Sequence, residues 1–87
     1  MASVPHQPLP MLSIRDMTRD DVADVIRIER ESYAFPWSEG IFRDCLRSGY
    51  VCVVVEIDAI LMGYGVMSTG AGEAHVLNLC VADPWRG

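Results

Sequence analysis

The stretch EAHVLNLCVADPWRG, residues 73–87, places a run of strand-forming residues directly before a Pro-Trp corner and an Arg-Gly pair. The apolar run predicts a β-strand. An Arg-Gly pair after a strand and a corner is typical of a turn that continues into further glycines and a helix, where backbone N–H groups bind phosphate. From the residues alone, a strand core followed by a solvated loop arginine is the preferred interpretation.

Two further strands precede this one. The segments YVCVVVEI (50–57) and ILMGYGVM (60–67) are rich in β-formers and are separated only by Asp58 and Ala59, which predicts a hairpin with a weaker turn than Asp-Gly would give. STGAGE (68–73) is interpreted as a flexible turn before the last strand. The last strand would then be an edge that is apolar on both faces, which proteins normally cover.

The first half of the chain predicts a strand and two helices. Residues 1–10 hold three prolines and are interpreted as a flexible leader, and residues 11–17 as a short strand. A helix is expected over 19–33, with Thr18 as its N-cap and Asp21 in the capping-box position; a second helix is expected from N-cap Ser38 to Gly49. The element order is therefore β-α-α-β-β-β, a mixed α/β chain with a mostly antiparallel sheet.

Composition narrows the classes of function. The 87 residues allow one small domain, and the 51% hydrophobic content is that of a globular chain. The net charge is -5 and the seven basic residues are scattered arginines, so we expect no direct nucleic acid partner. No apolar run is long enough to span a bilayer and the N-terminus has no signal-peptide pattern, so we expect a cytoplasmic protein without a membrane partner.

Three cysteines and two histidines offer no metal-ligand spacing, so no metal site is expected. The thiols are interpreted as reduced and packed as small hydrophobes. Cys80 could be a nucleophile but has no paired base and is expected to be inert. His75 could be a general base, but an isolated strand histidine is usually a packed or surface residue.

Two segments resemble a known superfamily. Residues 73–87 resemble the strand and loop that open the acetyl-coenzyme A site of the GNAT N-acetyltransferases, where an N-L-x-V strand runs into an (Arg/Gln)-x-x-Gly-x-Gly loop; Arg86 matches its first position and Gly87 its second. IERESYAFPWSEGIFRDCL (28–46) more specifically resembles the ribosomal-protein-alanine N-acetyltransferases, with their I-E-(R/Q)-x-x-(aromatic/Ala)-x-x-P-W-S pattern.

The resemblance implies a partial N-acetyltransferase domain over 11–87, the N-terminal half of a GNAT fold that ends before the cofactor-loop helix. In that family an unprotonated amine attacks the acetyl-coenzyme A thioester directly. The resemblance implies cofactor contacts from the main chain of Leu79, Cys80 and Val81 and from Arg86 and Gly87. In that family the catalytic glutamate and tyrosine lie on a strand and a helix beyond the half that this sequence resembles, so no catalytic residue is assigned in this chain.

For the acceptor, the resemblance implies a groove bordered by Phe35, Pro36 and Trp37. The alternative for Trp37 is an α–α corner in which its ring packs on the sheet, and the two interpretations are equally supported. Glu29 could meet an ammonium group, but a helix glutamate beside Arg30 more often lies on a solvated face, so no role is assigned to it.

Three hypotheses about function follow. The leading one is an N-terminal fragment of an enzyme that acetylates the N-terminal α-amine of a ribosomal protein (alanine), with acetyl-coenzyme A as co-substrate; the 87 residues alone are expected to be inactive. The second keeps the reaction and makes the acceptor a small amine. The third is a non-catalytic remnant or interaction module with an exposed β edge.

Overall fold

The computed structural model describes residues 11–82. They form four strands and two helices, which are β1 Leu12–Asp16, α1 Val22–Ser32, α2 Glu39–Arg47, β2 Val51–Ile57, β3 Ile60–Gly70 and β4 Glu73–Val81. The predicted order of elements is confirmed. The leader predicted for residues 1–10 lies outside the described residues.

The four strands form one sheet in the order β1-β2-β3-β4, and every neighbouring pair is antiparallel. Directly paired residues in such a sheet point to the same face. The buried side chains of the strands, among them Val54, Tyr64 and Val66, therefore share the face on which α1 and α2 pack, and the core cluster joins this face to both helices. The site described below lies where the connection between the helices meets β4.

A 3₁₀ turn at Arg19–Asp21 precedes α1, so the first turn of the predicted helix is tighter than expected. In this turn the Asp21 N–H donates to the Thr18 carbonyl at 3.0 Å, and the Asp21 carboxylate accepts hydrogen bonds from both the backbone N–H and the hydroxyl of Thr18. The same carboxylate accepts two bonds from the Arg15 guanidinium of β1 at 2.8 Å each. The predicted capping pair is therefore confirmed and is also bonded to the first strand.

Both predicted ends of α2 are confirmed. The Ser38 hydroxyl accepts the N–H of Ile41, which caps the first turn. At the other end Gly49 has a φ of 77°, and the N–H groups of Gly49 and Tyr50 donate to the carbonyls of Leu46 and Cys45. This bond pattern is the Schellman motif, which turns the chain directly into β2.

The two hairpins have two-residue turns. Asp58 and Ala59 have φ values of 52° and 66°, the positive values that a type I′ turn requires at both central residues. The second turn is Ala71–Gly72, because Gly70 pairs with Glu73. The prediction of a flexible turn over 68–73 was wrong: Ser68, Thr69 and Gly70 belong to β3, since a turn this short lets the strands pair up to its ends.

Candidate functional site

A groove of about 330 Å³ lies between the α1–α2 connection and β4. Its residues come from the end of α1, from the connection and from the middle of β4, and they are Glu29, Tyr33, Phe35, Trp37, Val76, Leu77, Asn78 and Leu79. Among the described residues, the groove joins the two segments whose sequence carried the resemblance. The predicted acceptor loop and the predicted cofactor strand are thus neighbours in the fold.

Glu29 lines this groove and is only 2% exposed. One carboxylate oxygen accepts the backbone N–H of Trp37 at 2.8 Å. The other accepts the Tyr64 hydroxyl at 2.6 Å and the Asn78 side-chain amide at 2.9 Å. The expectation that Glu29 lies on a solvated face was wrong. The carboxylate is buried, and these three donors replace the hydrogen bonds that it would make with water on a surface.

The sequence contained a signal for this burial that the first interpretation missed. Glu29 lies seven residues after Val22 and four after Val25, both of which are fully or almost fully buried. That spacing places Glu29 on the apolar stripe of α1. The partners Tyr64 and Asn78 were not identified as site residues, since their contacts with Glu29 join positions 35 and 49 residues apart.

The three predicted acceptor-loop residues differ in their surroundings. Phe35 is 94% exposed and lines the groove, whereas Pro36 is exposed and does not line it. Trp37 lines the groove and also packs on the core, where its ring lies 5.2 Å from that of Phe42. Trp37 therefore packs on the core beside the α2 residue Phe42 and at the same time lines the groove.

An irregularity in β4 lies beside this loop. Val66 pairs with Asn78 and Met67 pairs with Val76, so Leu77 is an extra residue on β4. This arrangement is a β-bulge, which re-aims backbone groups locally. The predicted strand is confirmed, and its bulge lies in the wall of the groove.

Beyond the bulge, the backbone of β4 alternates between β3 and the outer edge. The Ala82 N–H donates to the Met62 carbonyl, so the backbone groups of Leu79 and Val81 point away from β3. In agreement, the Leu79 carbonyl accepts the Tyr33 hydroxyl at 3.1 Å. Within residues 11–82 no strand pairs with this outer edge.

The predicted cofactor residues of β4 point in two directions. The side chain of Cys80 is buried on the helix-covered face, and those of Leu79 and Val81 are exposed on the other face. Only Leu79 of the three lines the groove. Arg86 and Gly87 lie outside the described residues.

The tyrosines beside the groove are poor acids. Burial raises the pKa of Tyr64, and its hydrogen bond to Glu29 raises it further. Burial also raises the pKa of Tyr33, with a smaller contribution from the charges of its neighbours. Both side chains therefore act at neutral pH as hydroxyl donors, Tyr64 to Glu29 and Tyr33 to the Leu79 carbonyl.

The cysteines are free and buried, as the sequence predicted. Burial raises the pKa of the Cys45 and Cys52 thiols, which makes them poor nucleophiles. His75 is a surface residue whose imidazole lies 3.1 Å from the Glu73 carboxylate, and it is not among the residues that line the groove.

In the described part of the chain, no group of side chains has the arrangement of a metal site, and no helix is long and apolar enough to cross a membrane.

No protein-family model matches the sequence. A Bacillus subtilis (strain 168) protein, named provisionally as a ribosomal protein bS18-alanine N-acetyltransferase, is 27% identical over 77 residues, which cover 86% of this chain and 51% of that protein. The chain thus spans about half the length of this curated relative.

Solved structures that are similar to this chain are also N-acetyltransferases. The ribosomal-protein-S18-alanine N-acetyltransferase of Escherichia coli matches with a TM-score of 0.74 at 24% identity, over 85% of this chain and 47% of that one. The fold is that of the N-terminal half of a GNAT acetyltransferase. The GNAT fold recurs in Ard1 of Thermoplasma volcanium, with a TM-score of 0.74 at 23% identity over 86% of this chain and 52% of that one.

A third structure of the GNAT fold was solved with a ligand. Arabidopsis thaliana Naa50, in complex with the bisubstrate analogue CoA-Ac-MVNAL, matches with a TM-score of 0.68 at 14% identity, over 87% of this chain and 54% of that one. The fold predicted from the two sequence segments is therefore confirmed, as is the resemblance to acetyltransferases of this kind.

Proposed function

We propose that residues 11–87 are the N-terminal part of an acetyl-coenzyme A-dependent N-acetyltransferase that modifies the N-terminal α-amine of a protein, with the alanine of a ribosomal protein as its acceptor. The observation that supports this most directly is the groove itself. In it, the bulged part of β4 faces the loop from Phe35 to Trp37. The similar Bacillus subtilis protein and the similar Escherichia coli structure are both named for acetylation of a ribosomal protein alanine.

The outer edge of β4 fits the co-substrate. Pantetheine is an extended chain with amide groups, and such chains add to a sheet edge through main-chain hydrogen bonds. Leu79 and Val81 present backbone groups at this edge, and their bonds to an added chain need no particular side chain. When bound, acetyl-coenzyme A supplies the activated acetyl thioester.

The bulge gives this edge a further property. An N–H group that is released from strand pairing can donate to an oxygen on which charge develops. Leu77 is the extra residue of the bulge and lies in the wall of the groove. We propose that the main-chain N–H of Leu77 lies next to the thioester oxygen and stabilises the charge that develops on it during transfer.

An α-amine is an acceptor that needs little acid–base catalysis. Its pKa is about 7.7 to 8.0, against about 10.4 for a lysine side chain, so a large share is unprotonated near neutral pH. A modest base acting through water is then sufficient. On this proposal the Phe35–Trp37 loop borders the peptide, and the ribosomal acceptor places the reaction in the cytoplasm.

The test is acetyl transfer by the native protein, purified from its own cells at whatever length they make. It is incubated with acetyl-coenzyme A and a peptide that begins with alanine and contains an internal lysine. We expect mass spectrometry to locate one acetyl group on the alanine nitrogen. The control is the same peptide with a blocked N-terminus, which should stay unmodified. Acetylation of small amines with no peptide product would contradict the proposal.

The 87 residues expressed alone provide a second test. Because the chain spans about half the length of its relative, we expect no turnover and no saturable binding of acetyl-coenzyme A by calorimetry. Saturable binding by the 87 residues would contradict this expectation. If the native protein also has neither activity nor binding, a non-catalytic role replaces the enzyme proposal.

A further inference from the structure

We propose that Glu29 is a positioning residue: its buried carboxylate holds the Phe35–Trp37 loop at a fixed place relative to the bulge of β4. Its role in transfer rests on the function proposed above. The positioning itself does not, because it follows from the contacts of the carboxylate. Glu29 is assigned no contact with the reacting atoms.

The carboxylate joins three separate segments. Through Trp37 it bonds the α1–α2 connection, through Tyr64 it bonds β3, and through Asn78 it bonds β4. Two of these bonds end on the walls of the groove, since Trp37 and Asn78 both line it. The Glu29 side chain therefore connects the two walls of the groove and sets the distance between them.

The bond to Asn78 fixes the place of the bulge. Asn78 is the first residue of β4 to pair regularly with β3 after the extra residue Leu77. A slip of strand register by one residue moves side chains to the opposite face of the sheet. A shift of the bulge past Asn78, towards Leu79, would remove the Asn78 amide from the buried face and leave the Glu29 carboxylate without that donor. The carboxylate thus penalises a shift of the bulge in that direction.

Within residues 11–82, Glu29 is stabilised by these three hydrogen bonds and belongs to none of the ion pairs. An apolar side chain of similar volume would fill such a position at lower cost, because burying a carboxylate carries a desolvation penalty. A carboxylate can accept from three donors at once, which an apolar side chain cannot. We therefore attribute the glutamate at position 29 to these three contacts.

The variant Glu29→Gln tests this directly. The amide oxygen of glutamine can still accept from Tyr64 and Asn78, but its NH₂ group then faces the Trp37 N–H, so two donors oppose each other. We expect amide exchange of Trp37, measured by NMR on the ¹⁵N-labelled protein, to accelerate about tenfold or more, equivalent to about 1.4 kcal/mol. Amides of α2 and β2 should keep their rates.

Glu31→Gln is the matched control, because Glu31 lies on the same helix and is exposed. It should leave the exchange of Trp37 unchanged. Unchanged exchange of Trp37 in Glu29→Gln would overturn the proposal. A uniform acceleration across all core amides would also overturn it, since that result is the signature of a general loss of stability.

Asn78→Ala keeps the proposal testable if Glu29→Gln does not fold. It removes one donor and leaves the carboxylate and its bond to Trp37. We expect faster exchange confined to residues 77–79, with Trp37 still protected. If exchange at the bulge is unchanged, Glu29 does not fix it and the proposal fails.

Transfer kinetics on the native protein separate this proposal from the proposed function. If the wild-type protein acetylates the alanine peptide, Glu29→Gln should lower kcat/KM for the peptide about tenfold or more and leave KM for acetyl-coenzyme A unchanged, while Glu31→Gln behaves as wild type. Equal kinetics for Glu29→Gln and wild type would overturn the role in transfer. No transfer by the wild-type protein would refute the proposed function, and the exchange data would still decide the positioning.

Discussion

The two faces of the sheet have similar composition and opposite surroundings. On the face that α1 and α2 cover, Val54 and Tyr64 have no exposed area, and Val66 has 1%. On the other face, Leu12, Leu79 and Val81 are each more than 60% exposed. The pairing register places these sets on opposite sides of the same strands. Burial here depends on what packs against a face, and apolar character alone does not produce it.

The face of the sheet that the helices leave uncovered, the open face, is apolar and exposed. Contiguous exposed apolar surfaces are typical of sites where further structure or another protein packs. Within residues 11–82, the stability of the fold comes from the covered face, so substitutions on the two faces should have different effects. The predictions below test that difference, beginning with the largest expected effect.

The same substitution on each face gives the sharpest comparison. Val54→Ala should lower the free energy of unfolding by about 1 to 3 kcal/mol, because it removes buried methyl groups and leaves a cavity. Val81→Ala should change it by less than about 0.5 kcal/mol, since that side chain is mostly exposed. Urea denaturation of both variants measures the difference. Equal losses would show that the open face is also buried in solution.

A glycine on the open face is the expected exception. A Cβ added at Gly63 would lie 2.8 Å from the Cys80 carbonyl oxygen, which is backbone and cannot easily move. Gly63→Ala should therefore destabilise the protein by roughly 1 to 3 kcal/mol through displacement of β4.

Gly65→Ala is the matched control for that variant. The atom nearest to its added Cβ is the end of the Leu79 side chain at 3.4 Å, which is ordinary contact. It should cost clearly less than Gly63→Ala in the same denaturation experiment. A larger loss for Gly65→Ala would contradict the described approach of β4 to β3.

The sequence predicted the order of elements because each element has a local signal. The capping pair Thr18 and Asp21, the proline at position 36 and the β-rich runs all act within a few residues. The surroundings of Glu29 could not be predicted in the same way. Its charge is typical of a surface, and its partners Tyr64 and Asn78 come close only after the sheet has formed.

The two strand faces show the same limit. From sequence, the last strand was expected to be apolar on both faces, and this is confirmed by buried Cys80 and exposed Leu79 and Val81. Which face the helices cover depends on the register, and the register includes the bulge at Leu77. A bulge depends on how two strands pair, so the alternation along β4 alone did not place it.

On the covered side, β1 is held to the helix layer by an ion pair. The bidentate bond from Arg15 lowers the pKa of Asp21 to about 2, and this effect exceeds the opposing effect of burial. A carboxyl whose pKa is lowered by folding stabilises the folded state above its ordinary pKa of 3.8, and that stability is lost as pH falls towards about 2. The wild-type protein should therefore lose stability over this range.

Asp21→Asn isolates this contribution. The variant should be less stable than wild type at pH 6 by roughly 1 to 3 kcal/mol, and the difference should shrink between pH 4 and pH 2. Thermal unfolding of both proteins at several pH values measures it. A difference that stays constant with pH would show that the ion pair does not stabilise the fold.

A change at the hairpin turn affects neither face and should have the smallest effect. Ala59 has a φ of 66°, which glycine adopts without strain. Ala59→Gly should raise the free energy of unfolding by up to about 1 kcal/mol, since Asp-Gly is a favoured type I′ turn. Asp58 should remain in place, because it bonds to the backbone of Met11 through both its N–H and its carboxylate. A loss of stability would contradict the assigned turn.

The central claim is that the Phe35–Trp37 loop and the bulged edge of β4 form one site. The most direct test is hydrogen–deuterium exchange of the native protein, alone, with acetyl-coenzyme A, and with both acetyl-coenzyme A and the alanine peptide. We predict that acetyl-coenzyme A protects residues 77–81 and that the peptide adds protection at residues 33–37. Protection of neither segment, or peptide protection only at strand β1, would contradict the claim.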